Sequence, residues 1–299
     1  MPATAHQRTR EIDFSLPFFP VHLTPLALVP SWSRLSDAQQ LRYSQWYALY
    51  HNEQTVFFEE LLATTLLPAF YRRPDLIGDD LAEDLRRFEE EERGHSQWFR
   101  ELNHRVDPAR FSLEAGSYAL VRASPQMKRM AQWLAQRPFA FPLWIWLVLL
   151  QEERSIAVSK ECLAAGEGLE PSFAAVHRRH MADEVDHVRW DLALIERVWL
   201  PMPKWKRRLQ ARLFGWMMAE FFTAPKRSAK AVVLALTGEF SDLQPLEAQL
   251  LGDLADLATS IPFHATLYSR ETTPRCFALF DELPEFYDIG RSLPAYQRP

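Results

Sequence analysis

Four glutamates and three histidines recur along the chain in a paired order: Glu59, then Glu92-x-x-His95, then Glu153, then His180-x-x-x-Glu184-x-x-His187. Carboxylates and neutral imidazoles are hard and borderline ligands that suit iron or manganese, and a bridging carboxylate holds two ions close together. On a helix, residues three apart lie about 60° apart around the axis and residues seven apart about 20°. Glu92 and His95 therefore share a face. His180, Glu184 and His187 fall within a sector of about 60°, so all three can reach one metal cluster.

Random placement of the glutamates and 9 histidines gives fewer than one Glu-x-x-His pair on average, and the chain has three: Glu92/His95, Glu184/His187 and Glu101/His104. The last pair lies nine residues beyond the first, which turns it about 180° to the opposite face. It reads as a solvated helix surface. The repeat is more specific than the pairs. Glu59 precedes Glu92 by 33 residues and Glu153 precedes Glu184 by 31, each the length of a helical hairpin. A lone Glu on one helix followed by Glu-x-x-His on the next, with the unit repeated, is how ferritin-like bundles hold two irons. His180 goes beyond that pattern. By spacing alone Glu60 rivals Glu59, and Glu152 rivals Glu153. Glu89, Glu90 and Glu91 form a charge run that reads as facing water, while Asp183 and Asp186 are candidate acceptors for the outer nitrogens of ligand histidines.

These residues need long helices. Ser36-Asp37 can cap a helix over about 38–70, broken by Arg73-Pro74-Asp75 and Gly78. A second helix follows over about 79–104. A third begins near Pro142, a tolerated first-turn residue, and ends at Gly166 and Gly168. A fourth runs from Pro171-Ser172 to about Leu200, where Pro201 and Pro203 stop it. Further helices are expected over 204–222, 225–237 and 244–259. The expected architecture is all-α: a ferritin-like helical bundle in a single domain over 1–299, with metal-binding helices in 37–200 and additional helices and tail in 201–299. Pro17, Pro20, Pro25 and Pro30 make residues 1–36 read as an extended, irregular arm lying over the domain with few regular elements, and the chain from Pro284 reads as irregular tail.

Composition narrows the function class. Only 9 glycines in 299 residues disfavours a Gly-rich nucleotide-binding architecture, and a net charge of -5 gives no electrostatic reason to expect nucleic acid or an anionic membrane as partner. Cys162 and Cys276 make neither a disulfide framework nor a cysteine metal site, and no segment resembles a signal peptide, so a cytoplasmic location is expected. The strongest apolar run, Phe139 to Leu150, is too short to span a bilayer and reads as a buried helix.

The ordered motif Glu59, Glu92-x-x-His95, Glu153, His180-x-x-Asp183-Glu184-x-x-His187 resembles the p-aminobenzoate N-oxygenase family of di-iron proteins. Asn52-Glu53 ahead of Glu59, then Pro68-Ala69-Phe70, resembles that family's first ligand helix, and the likeness extends over about residues 45–195. The resemblance selects Glu59 over Glu60 and Glu153 over Glu152, and it implies that His180 is an additional ligand to one iron. His51, eight residues before Glu59, departs from the tyrosine of the family pattern.

The resemblance implies an enzyme that uses two irons and O2 to convert an amine, free or carrier-bound, to a hydroxylamine and onward to nitroso or nitro products, in natural-product biosynthesis. It also implies a homodimer. No flavin, Rossmann or iron–sulfur motif is visible, so the electrons are expected from an external reductase or small reductant. Phe58, Trp98, Phe99, Trp144, Trp146 and Trp190 are candidates to line a substrate pocket, although each also reads as an ordinary core aromatic. Arg154 and Arg189 are candidates to read a substrate carboxylate. The basic run Lys204-Trp205-Lys206-Arg207-Arg208 could dock an acidic partner or simply start a solvated helix. A ferroxidase and a purely structural metal site are the rival readings.

Overall fold

A computed structural model describes residues 11–122, 129, 132–222 and 227–299. Ser36 starts helix α1 (Asp37–Leu61) with a reciprocal capping box: its Oγ accepts from Gln39 N while Gln39 Oε1 accepts from Ser36 N. The helix continues through a π-turn at Leu62–Leu66 and a last segment at Leu67–Tyr71. After a short turn at Pro74–Ile77, Gly78 reverses the chain with φ +85°, and a side chain there would collide with Arg197. Helix α2 (Asp79–Val106) then returns alongside α1.

Helix α3 (Phe141–Ala164) carries Pro142 in its first turn. Helix α4 (Pro171–Leu194) is capped by the buried Glu170, whose Oε2 accepts from Ser172 N and Phe173 N. A π-turn at Ile195–Trp199 ends it before Pro201. α1 packs on α2, α3 on α4, and α2 on α4. Helices α5 (Lys204–Met217), α6 (Arg227–Glu239) and α7 (Glu247–Asp256) follow. Helices α8 (Ile261–Leu267) and α9 (Pro274–Glu282) lie beyond the helices expected from the sequence. α5 lies across α3, α6 against α1 and α7, and α9 against α3. No strand occurs among the described residues, so the chain is an all-α bundle of the ferritin-like kind. None of the helices described is long and apolar enough to cross a membrane.

The arm lies over the domain as expected, but it is built of short turns instead of extended chain, and the tail is buried instead of irregular. Over the described part of the arm, 3-10 turns at Val21–Leu23, Pro25–Leu28 and Pro30–Arg34 follow one another, with Pro25 and Pro30 in their first turns. Phe18 and Phe19 are buried, Phe18 stacks on Phe173 of α4, and Ser44 and Gln45 of α1 donate to the arm's backbone carbonyls. Past Pro284, Phe286, Ile289, Leu293 and Tyr296 are all buried, with Phe286 against Trp146 and Trp199.

The apolar core forms two clusters, and the order of residues along each long helix shows what lies between them. On α1 the sequence runs from Tyr43–Tyr50 in one cluster, past Glu59, to Leu62–Phe70 in the other. α2 runs the opposite way, from Leu81–Phe88 past Glu92 and His95 to Leu102. α3 and α4 repeat the alternation, with glutamates and histidines between Leu150 and Val158 and between Phe173 and Val188. A polar layer is therefore clamped between two apolar ones.

Candidate metal centre

The polar layer gathers Glu59 of α1, Glu92 and His95 of α2, and His180, Glu184 and His187 of α4, all buried. His180 Nε2 lies 3.0 Å from Glu59 Oε1 and 2.8 Å from Glu184 Oε1. His95 Nδ1 lies 3.2 Å from Glu92 Oε1 and 3.6 Å from Glu184 Oε1. His187 Nδ1 lies 3.2 Å from Glu184 Oε2 and 3.3 Å from Glu92 Oε1. Three imidazoles thus aim a nitrogen at the same carboxylates, which is the convergence expected from their spacing.

The contribution of α3 differs from the sequence reading, which took Glu153. Glu152 is the residue that faces the cluster: its Oε2 is 3.9 Å from His187 Nδ1, and Glu184 crowds its carboxyl. Glu153 points away. Its two oxygens accept from Arg275 N and Cys276 N, each at 2.8 Å, in the first turn of α9. A carboxylate is favoured there because a helix N-terminus offers unpaired N–H groups and the positive end of its dipole. The face of α3 that meets α4 carries Glu152, Ser155 and Ser159, at i, i+3 and i+7; Ser155 Oγ lies 3.2 Å from His180 Nδ1, and Ser159 Oγ 3.3 Å from His177 Nδ1. Those two serines are the sequence signal that marks the face of Glu152. On α1 the choice agrees with the reading: Glu60 faces away from the cluster and binds Arg100, Tyr118 and the Gly116 N–H.

Outer contacts fix the imidazoles. His95 Nε2 donates to Asp183 Oδ2 at 3.0 Å, as the sequence suggested. His187 Nε2 donates to Glu91 Oε2 at 3.1 Å, so Glu91 belongs to the site rather than to a charge run facing water. Asp186 has no such role; it pairs with Arg189. Phe88 stacks on His187 with centroids 3.8 Å apart, and Phe99 meets His180 edge-on at 5.0 Å. Glu101 accepts from Gln97 and His104 bonds the Phe111 carbonyl, which keeps that third pair out of the cluster.

Burial and mutual charge set the protonation of this layer in the absence of metal. Burial favours neutral histidine, but Glu184 and Glu59 outweigh it and push His180 up to about 10. Glu184 likewise drives His187 up against its burial. Burial and the adjacent Glu184 push Glu152 well above the carboxylate range, whereas Glu184 itself, despite burial, is held well below it by His180 and His187. Protons on His180, His187 and Glu152 are therefore favoured and offset part of the buried carboxylate charge.

Divalent ions would supply that balance directly. The donor set is purely carboxylate and imidazole, Glu92 Oε2 is buried with no hydrogen-bond partner, and every inward-facing nitrogen already lies within 4 Å of a carboxylate oxygen. The residues fit a pair of hard or borderline cations. Asp191, one turn beyond His187, carries no sequence signal of its own; it is fully buried with both oxygens unpartnered, and burial pushes its carboxyl well above the usual carboxylate range.

Beside the cluster is a cavity of about 620 Å³ whose wall includes Glu59, Glu152 and His180. Of the aromatics proposed to line a pocket, Phe58 and Trp144 do so. Trp146 packs against Trp199 and Phe286, Trp190 against Phe88 and His187, Phe99 against His180, and Trp98 lies under Arg179. His51 also lines the cavity, buried beside Phe19 and held well below its usual value by burial and by Arg154.

Fold and site together define a helical-bundle protein of the di-metal carboxylate class. The model of the p-aminobenzoate N-oxygenase family (AurF) matches residues 7–240, and the chain belongs to that family of di-iron oxygenases. No curated protein matches it.

Proposed function

We propose that the chain is a di-iron N-oxygenase, with Glu59, Glu92, His95, Glu152, His180, Glu184 and His187 as ligands. The observation that carries this reading is the third imidazole: His180 reaches both Glu59 and Glu184 in a chain whose family is built around N-oxygenation. When bound, the two irons supply reductive activation of dioxygen, and the overall reaction takes an amine to its hydroxylamine and onward to more oxidised nitrogen.

The chain's own residues do the positioning. Asp183, Glu91 and Ser155 hold the outer nitrogens of His95, His187 and His180, which presents one defined nitrogen of each ring inward. The largely apolar cavity wall orients an amine toward Glu59, Glu152 and His180, where the cluster meets the cavity. Electrons come from a separate reductant. Lys204, Lys206 and Arg208 are exposed at the start of α5 and suit an acidic redox partner, whereas Arg207 is committed to Glu285.

The test is to supply reduced, iron-loaded protein with a panel of amines under isotopically labelled dioxygen and weigh the products. Labelled oxygen on nitrogen is the expected result, lost in His180→Ala while the helical signal is retained. Iron oxidation without any N–O product would instead favour a ferroxidase.

A further inference from the structure

Tryptophan stands three residues beyond the histidine in both halves of the repeat, so the units read Glu92-x-x-His95-x-x-Trp98 and Glu184-x-x-His187-x-x-Trp190. The chain holds only 10 tryptophans, and the pair that stays out of the cluster, Glu101/His104, has Asp107 at that place. Positions three apart lie about 60° apart around a helix. Each tryptophan is thereby turned away from the glutamate but left against its histidine. Trp98 meets His95 with ring centroids 5.0 Å apart, and Trp190 meets His187 at 5.7 Å with the planes 30° apart. Neither ring lines the cavity beside the cluster, so contact with an amine does not account for them.

Arginines lie over both rings. The Arg179 guanidinium is 3.4 Å from the Trp98 ring centre, and those of Arg87 and Arg189 are 5.7 and 5.8 Å from the Trp190 ring. All three arginines are exposed. Each indole thus touches a ligand imidazole on one side and a surface cation on another, a short path for an electron. Indole is among the most easily oxidised side chains, and phenylalanine would fill the same space without that property. A guanidinium over the ring is attracted to the neutral indole and repels the positive charge of an oxidised one. Mild oxidants therefore leave these rings alone, and only a strong oxidant at the centre draws on them. Trp190 Nε1 is buried with no hydrogen-bond partner, so no neighbour takes the proton of the oxidised ring and an electron alone restores it.

We propose that Trp98 and Trp190 are paired electron donors that discharge the centre when dioxygen is reduced there without an amine in place. Dioxygen takes four electrons and four protons to become two waters. Oxidation of two ferrous ions to ferric accounts for two of the electrons, and an amine that is present yields the other two from its nitrogen. Without an amine, Trp98 and Trp190 give up one electron each and solvent supplies the four protons. The products are two waters and two indole radical cations, and a reductant at the surface then returns one electron to each ring. This rests on the di-iron oxygen chemistry of the family and not on which amine is oxidised.

Freeze-quenched electron paramagnetic resonance tests this on the full chain, loaded anaerobically with ferrous iron and mixed with dioxygen in the absence of amine. An organic radical is expected, with a line that narrows when the protein is made with ring-deuterated tryptophan. Trp98→Phe and Trp190→Phe each keep a ring against the histidine. Each should remove roughly half of the signal, and the double variant nearly all of it, with the iron bound per chain unchanged. No radical, a radical that tryptophan deuteration leaves unaltered, or one that persists in the double variant overturns the proposal. The deuteration arm uses the natural sequence, so it decides the matter even where a variant fails to fold. Tryptophan radicals without an N–O product from any amine would sink the N-oxygenase reading alone; an N–O product with no tryptophan radical would sink the electron-donor role alone.

Discussion

His187 Nε2 donates to Glu91 Oε2 across the interface between α4 and α2, and His95 Nε2 donates to Asp183 Oδ2 in the opposite direction. In each helix the residue immediately before the inward-facing glutamate holds the histidine of the other helix. The repeated unit is thus acid-Glu-x-x-His, and the two copies strap one another. Glu91→Gln keeps the shape but accepts from Nε2 less strongly than the carboxylate, and its amide can also donate, which lets the His187 ring choose between orientations. The expected outcome is a fall in iron affinity of about 10-fold or more, the usual range for such outer partners, measured by competition with a chelator. Glu90→Gln on the exposed neighbouring position should leave affinity unchanged. Equal effects from the two would contradict the strap.

Glu152 and Glu153, adjacent carboxylates, hold two separate roles. Glu152→Gln should lower the iron bound per chain while leaving thermal stability of the metal-free protein unchanged or raised, because it removes a buried acid that Glu184 crowds. Glu153→Ala should retain both irons and cost about 2 kcal/mol of stability, since it orphans two N–H groups at the start of α9. Metal analysis paired with denaturant melts reads both. The reverse pattern would restore Glu153 as the ligand.

Much of this centre was legible because helical spacing is rigid. Glu92/His95 and His180/Glu184/His187 each share a face by arithmetic, and the hairpin-length interval brought in Glu59. The Glu152/Glu153 choice was not legible in that way. It depends on what packs on the far side of α3, and that is a helix starting at Pro274, more than a hundred residues downstream. Glu91 was hidden because it stands in a run of four glutamates; only the proximity of α4 distinguishes it from the exposed Glu90. The local form of the arm and the burial of the tail are hidden in the sequence for a related reason. Prolines at short intervals mark breaks in α-helix but equally start 3-10 turns, and long-range burial of Phe18 and Phe286 decides the outcome. Local motifs near the site proved structural: Asn52 bonds Asn103, and Glu53 accepts from the N–H groups of Ala119, Leu120 and Val121, which ties down the segment after α2.

His177 gives the fold an acid-sensitive element. It is buried between Ser159 and Phe99, and burial together with the nearby His180 pushes it down to about 3. Its value in an unfolded chain is about 6.5. Between those values the unfolded chain binds the extra proton, so the stability contribution is complete above about pH 6.5 and is lost as the pH falls toward 3, with a slope of up to about 1.4 kcal/mol per pH unit. His177→Gln should flatten the loss of stability between about pH 6.5 and 4, as read from denaturant midpoints of the metal-free protein. His51, also held low by burial, leaves part of the slope in place. An unchanged slope in the variant would show that His177 does not stay neutral in the fold.

The reading of the polar layer as a di-iron centre is tested most directly by an anaerobic titration of metal-free protein with ferrous iron, counting the ions retained per chain. Two ions per chain are expected, with both positions weakened in Glu92→Gln and Glu184→Gln because each carboxylate reaches more than one imidazole. Retention of a single iron, of none, or of two irons that survive both substitutions would contradict it.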